Sequence, residues 1–201
     1  VTGWQAQALK AGYVAGCSVG GLEDAIRKCT TFIRRTTYAN YKFGYSGTPG
    51  TGGNMTGIGT VGLQLLGAGD SAEAGGGVRT IATERLALYQ QVLNNPGAWN
   101  GVMGPNLYGF YYDTQAVFNS QVGAGGGANW KEWRNCFEKV LIRAQQPEGY
   151  WEVRTGWALG ADLPGRIFAT TQACLQLEVY YRYLPTFNIS TMDQCKVAGS
   201  G

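Results

Sequence analysis

Four short stretches recur along this chain at a nearly constant interval: Thr2-Gly3-Trp4-Gln5-Ala6, Thr56-Gly57-Ile58-Gly59-Thr60, Tyr112-Asp113-Thr114-Gln115-Ala116 and Ala169-Thr170-Thr171-Gln172-Ala173. Aligned on Trp4, Ile58, Thr114 and Thr171, they stand 54, 56 and 57 residues apart. A fixed period of this size marks one supersecondary unit repeated in an array. The segments between the repeats carry a helical signature. Leu22, Ile26, Cys29 and Ile33 recur at helical spacing with Glu23, Asp24, Arg27 and Lys28 on the other side. The pattern returns at Leu86, Tyr89 and Leu93. It is cleanest at Trp130, Trp133, Phe137, Val140, Leu141 and Ala144, with Lys131, Glu132, Arg134, Glu138 and Lys139 turned outward. One apolar stripe and one polar face predict a helix wetted along its back.

The repeat segments differ from these. Residues 169–183 and 56–66 place apolar or small side chains in almost every direction, which predicts helices covered on both sides. Gly57, Gly59 and Gly62 each cost about 1 kcal/mol relative to alanine in a helix, so a close neighbour is expected there. The runs Gly75-Gly76-Gly77 and Gly125-Gly126-Gly127 read instead as loops. Buried and amphipathic helices in alternation predict an all-α fold with inner and outer layers, an α/α solenoid or toroid. The expected domain runs over residues 1–185, with a C-terminal tail at 186–201.

Composition narrows the function. Charged residues make up only 14% of the 201, the net charge is +3, and no basic run exceeds Arg34-Arg35. That excludes the clustered cations of a nucleic-acid footprint. No apolar stretch approaches the roughly 18 residues of a membrane span. The chain opens on Val1, so a segment removed from or lying outside its N-terminus is expected, and a secreted or envelope location is favoured over a cytoplasmic one. Histidine is absent and the five cysteines lack close spacing, so no metal and no cofactor are expected. Cys29, Cys136 and Cys174 fall on apolar stripes and are expected as buried thiols. A Cys17–Cys29 disulfide stays open.

Several motifs are discounted on context. Gly57-Ile58-Gly59-Thr60-Val61-Gly62 has the spacing of a dinucleotide fingerprint, yet Thr48-Pro49-Gly50-Thr51-Gly52-Gly53 before it is turn-forming where a strand is needed. Asn54-Met55-Thr56 and Asn188-Ile189-Ser190 are sequons of a kind that arises by chance. Asp113, set among Tyr108, Phe110, Tyr111 and Tyr112, is the weak candidate for a catalytic acid. The competing reading is that it accepts hydrogen bonds from the first turn of its own helix. Glu178 pairs most simply with Arg182 four residues on.

The stretch Leu141-Ile142-Arg143-Ala144-Gln145-Gln146-Pro147-Glu148-Gly149-Tyr150-Trp151 resembles the QW repeat of squalene and oxidosqualene cyclases. A weaker copy runs from Leu86 through Gln90 or Gln91 to Gly97-Ala98-Trp99. With Tyr111-Tyr112-Asp113-Thr114-Gln115-Ala116, the pair Trp130 and Trp133, and Leu177 to Pro185, the chain resembles bacterial prenyltransferase and squalene oxidase repeat proteins over roughly residues 1–185. The resemblance implies a partial α/α toroid of about three and a half helical hairpins. Gln145, Gly149 and Trp151 would tie an outer to an inner helix, the glutamine meeting helix-end backbone groups. In such a family Trp4, Tyr13, Tyr111, Phe118, Trp157 and Tyr181 would be the candidates to line a cavity and stabilise cations with their ring faces, core packing being the competing reading.

The family's chemistry does not follow. The Asp-x-Asp-Asp acid motif of the cyclases is missing, and without histidine neither the zinc site of the prenyltransferases nor a histidine-based hydrolase can be carried over. A complement-type thioester run is missing too. The expectation is a non-catalytic binding or scaffolding module for a hydrophobic or isoprenoid-like small molecule, a peptide or a glycan, with an isoprenoid-handling cyclase or transferase relative as the alternative. An incomplete ring exposes apolar surface at its ends, so self-association or membership of a longer chain is expected.

Overall fold

The computed structural model describes residues 2–17, 20–49, 55–122, 126–154 and 163–179. They are mostly helical, with two compact units, Val1–Thr80 and Ile81–Tyr180.

In the first unit, α1 (Thr2–Val14) packs on α2 (Leu22–Thr36) and on α3 (Thr56–Leu65), and α3 packs in turn on α4 (Ala72–Thr80). The core gathers Ala6, Ile26, Ile33, Phe43, Leu63, Leu66 and Ala74. As the pattern predicts, α2 buries Ile26 and Ile33 and leaves Glu23, Arg27 and Lys28 in water. Glu23 and Asp24 in its first turn and Arg34 and Arg35 in its last match the helix dipole. Helix α3 is buried at every position except half-buried Ile58, the covering expected of residues 56–66.

The glycines of α3 and α4 explain that covering. Contrary to the expectation of a loop, Gly75, Gly76 and Gly77 lie inside α4. A two-stranded hairpin, β1 (Tyr38–Ala39) and β2 (Lys42–Phe43), closes through Asn40 and Tyr41, whose φ values of 50° and 64° are those of a type I′ turn. Its aromatics come down on helix backbone. A Cβ at Gly76 would land on the Tyr41 ring, one at Gly77 on Thr60 Oγ1, and one at Gly59 on the Phe43 ring, still 2.7 Å from Phe43 Cβ. The helical cost of glycine is therefore offset by the approach of the hairpin, which residue propensity alone does not reveal. Gly59→Ala gains up to about 1 kcal/mol of helix propensity. It must still displace Phe43, only 1% exposed, and a net loss of about 1–3 kcal/mol is expected in chemical denaturation.

The second unit begins with a π-helical turn, Ile81–Arg85, leading into α5 (Leu86–Asn94). A 3₁₀ turn at Pro96–Ala98, capped by the Asn95 side chain on Gly97 N–H, delivers the chain to α6 (Trp99–Asn119). Then follow α7 (Gly126–Ala144) and α8 (Leu163–Glu178). Helix α6 packs on α7 and α8, and α5 packs on α7. The apolar stripe of α7 (Trp130, Trp133, Phe137, Val140 and Leu141) is buried, with Lys131, Glu132, Arg134 and Lys139 exposed, as predicted.

Two expectations fail here. Helix α8 is not covered on both sides: Ala169, Gln172, Ala173 and Gln176 are buried, while Leu163 and Ile167 are 69% and 59% exposed and Thr171 and Cys174 face solvent. The buried residues fall at helical spacing on one face, so a single packed side accounts for them. Cys174 is therefore not a buried thiol, although Cys136 is and Cys29 is half-buried. Cys17 and Cys29 are both free thiols, and Cys195 lies outside the described residues.

Candidate functional site

The centre of the second unit is a polar cluster within an aromatic core. Ile81, Arg85 and Tyr89 follow one another at four-residue spacing, which sets the Arg85 side chain on the buried stripe of its helix. Asp113 stands in the C-terminal half of α6, so it does not cap that helix's first turn as the sequence reading had it; α6 begins well upstream, at Trp99. It meets Arg85 instead. Arg85 Nε donates to Asp113 Oδ2 at 2.8 Å, and the two side chains are 7% and 1% exposed.

The guanidinium is held from other directions too. Arg85 Nη1 donates to Asn106 Oδ1 at 2.9 Å, Asn106 Nδ2 donates to the Val102 carbonyl at 2.7 Å, and the guanidinium carbon lies 4.6 Å from the centre of the Phe110 ring. A delocalised cation over a ring and a fixed fork of donors suit arginine to this place and not lysine. Both partners' helices thereby register against each other.

Around the pair, Tyr89, Phe110 and Trp133 interlock, with ring centres 4.1 Å apart for Tyr89–Phe110 and 5.4 Å for Tyr89–Trp133. Trp133 Nε1 donates to Thr114 Oγ1 at 3.1 Å, and the Thr114 hydroxyl in turn donates to the Phe110 carbonyl at 2.8 Å. Burial, and after it the negative charge of Asp113, push the Tyr89 phenol well above its usual range. It stays protonated and donates to Gln176 Oε1 on α8. The cluster thus links α5, α6, α7 and α8 by hydrogen bonds between otherwise costly buried groups.

A second constellation joins the helix ends. Trp151, 4% exposed, donates its indole N–H to the Leu141 carbonyl at 2.8 Å, in the last turn of α7, and its backbone N–H to Thr170 Oγ1 on α8 at 3.1 Å. Trp151 therefore ties α7 to α8. Gln145 plays a different part from the one implied: its amide donates to the Gly149 carbonyl at 2.9 Å inside the exposed turn. Gly149, at φ 91°, supplies the left-handed residue on which that turn depends.

The weaker copy engages the same segment, Trp99 Nε1 donating to the Glu152 carbonyl at 2.7 Å and Arg154 N–H to Asn100 Oδ1 at 2.8 Å. Glu152 is buried beneath Arg154 and Arg166, at 2.6 and 3.2 Å. The Arg154 hydrogen bond, opposed by burial, holds the Glu152 carboxyl below the usual glutamate range.

The described aromatic candidates divide between the two units. Trp4 is 50% exposed on α1 and Tyr13 packs at the edge of the first unit's core. In the second unit, buried Tyr111 meets Tyr112 with ring centres 5.0 Å apart and Phe118 meets Trp130 edge-on at 4.9 Å. Trp157 and Tyr181 lie outside the described residues, as does Arg182. Glu178 is exposed. Among the described residues no group of His, Cys, Asp and Glu side chains could hold a metal ion, and no helix is long and apolar enough to cross a membrane.

Arg85 was missed by sequence reading because its charge hid its place on an apolar stripe. Its spacing from Ile81 and Tyr89 was the available signal. No protein-family model, no curated protein and no solved structure matches this chain.

Proposed function

We propose that the chain is a non-catalytic binding or scaffolding module made of squalene-cyclase-like helical repeats, arranged as part of an α/α toroid. The observation that carries this reading is the state of Asp113. The carboxyl group that a cyclase relative would need as its acid is committed to Arg85 in a buried ion pair, the arrangement of a structural anion and not of a proton donor poised for an alkene. A proton donor of that strength also needs neighbouring carboxyl groups, and the nearest acidic residues in sequence are Glu84 and Glu132. Self-association or a place in a longer protein belongs to the same reading. Leu163 and Ile167 on α8 offer apolar surface of the kind that a further helical layer would cover.

Incubation with squalene and with farnesyl diphosphate, followed by mass spectrometry, tests it. No product above the protein-free control is expected. A product that disappears in Asp113→Asn, provided that variant keeps its helical circular dichroism, would replace this reading by that of an isoprenoid-handling enzyme.

A further inference from the structure

Where α5 and α7 end, the second unit holds a cleft of about 240 Å³ whose chemistry is unlike that of the polar cluster. Val92, Pro96, Trp99, Val140 and Ala144 supply its apolar walls, and Arg143 is part of its lining. Arg143 is the only charged side chain of the lining. It is exposed, and no carboxylate pairs with it among the described residues. Other arginines of this unit are engaged: Arg85 with Asp113, Arg134 with Glu138, and Arg154 and Arg166 with Glu152. An uncommitted cation beside an apolar hollow is thus a local exception.

The walls are held in place before any ligand arrives. The Trp99 ring is fixed by its N–H bond to the Glu152 carbonyl, Pro96 and Gly97 by the Asn95 cap, and Gln146 by the reciprocal turn with Tyr150 and Gly149. Preformed walls avoid the ordering cost of binding. The volume falls just below the roughly 300 Å³ at which drug-sized pockets begin, which suits one ring with a short arm and is too small for a helix or a folded partner.

We infer that this cleft is a binding site for a small monocarboxylate with a single-ring or similarly compact apolar body, the body lying between Trp99, Pro96 and Val140 and the carboxylate meeting Arg143. The inference rests on the reading of the chain as a binding module and gives that reading a place and a ligand class. Arginine matches a carboxylate in geometry as well as charge.

The probe is 3-phenylpropionate, with the neutral 3-phenylpropan-1-ol as its comparison, titrated into the full chain labelled with ¹⁵N. Saturable shifts are expected at the amides of Gly97, Asn100 and Ala144 and at the indole of Trp99, with a Kd on the order of 1–10 mM for a ligand of this size. The alcohol should bind about fivefold more weakly, as an exposed ion pair allows. That preference should vanish in Arg143→Gln and shrink as salt is raised. Ala144→Phe, which fills the mouth, should abolish the shifts while the helical circular dichroism is kept; if it does not fold, the charge reversal Arg143→Glu, at an exposed position, takes its place and should disfavour the acid against the alcohol. Equal binding of acid and alcohol, shifts centred elsewhere, or no saturation in that range overturns the site. Those outcomes do not bear on whether squalene is turned over, so the two readings fail separately.

Discussion

Arg85→Met is expected to destabilise the second unit by about 3–5 kcal/mol, because it leaves Asp113 as a buried charge without its cation. The size follows from desolvation. Asp113 is 1% exposed, so water cannot take the place of the guanidinium, and Asn106 also loses the donor that met its Oδ1. Methionine fills much of the same volume, which keeps the cavity contribution small and isolates the electrostatic one. The double variant Arg85→Met with Asp113→Leu should recover most of the loss, with stability within about 1 kcal/mol of the parent or above it, since buried pairs replaced by apolar residues are often neutral or better. Urea unfolding followed by circular dichroism measures both variants against the parent. A single variant that costs under about 1 kcal/mol would mean that Asp113 reaches solvent or another cation, and the account of the cluster would fall.

What the sequence made legible was set by periodicity. The stripe of Trp130, Trp133, Phe137, Val140 and Leu141 is long and regular and is buried as predicted, although Gly126 and Gly127, read as loop, open α7. Where two partners far apart in sequence settle the outcome, periodicity had nothing to report. Gly75-Gly76-Gly77 looks like a loop until Tyr41 and Thr60 are seen against it. Asp113 looks like a cap until α6 is followed back through Pro105 to Trp99. Pro105 sits on the exposed side of that helix, where its missing N–H and its ring are accommodated outside the packed face. The aromatic candidates were chosen for ring chemistry, which says nothing of neighbours: Trp4 proved half-exposed and Tyr111 and Phe118 packed against other rings. At the end of α7 only part of the pattern closes locally: the Gln145 amide meets the Gly149 carbonyl four residues on, whereas the Trp151 indole reaches back ten residues to Leu141.

The division of labour within that pattern gives the second large expected effect. Trp151→Ala should cost about 3–5 kcal/mol, the usual loss for an aromatic side chain removed from a packed site. It withdraws both a ring that is 4% exposed and the N–H bonded to Leu141. Trp151→Phe keeps most of the burial. The Leu141 carbonyl also accepts from Gln145 N–H at 3.1 Å, so it is not orphaned when the indole donor is lost. A cost of about 1–2 kcal/mol is expected for that variant, one hydrogen bond plus a small void. Gln145→Ala should lie within about 0.5 kcal/mol of the parent, because its amide serves only an exposed turn. The ordering across the three variants in urea unfolding is what carries the argument. Tryptophan well above glutamine places the tie between α7 and α8 in the indole and in the backbone bond to Thr170. Gln145→Ala as costly as Trp151→Phe would return the tie to the glutamine, as the family resemblance implies, and the hydrogen bonds assigned to Trp151 would then be incidental to holding the two helices together.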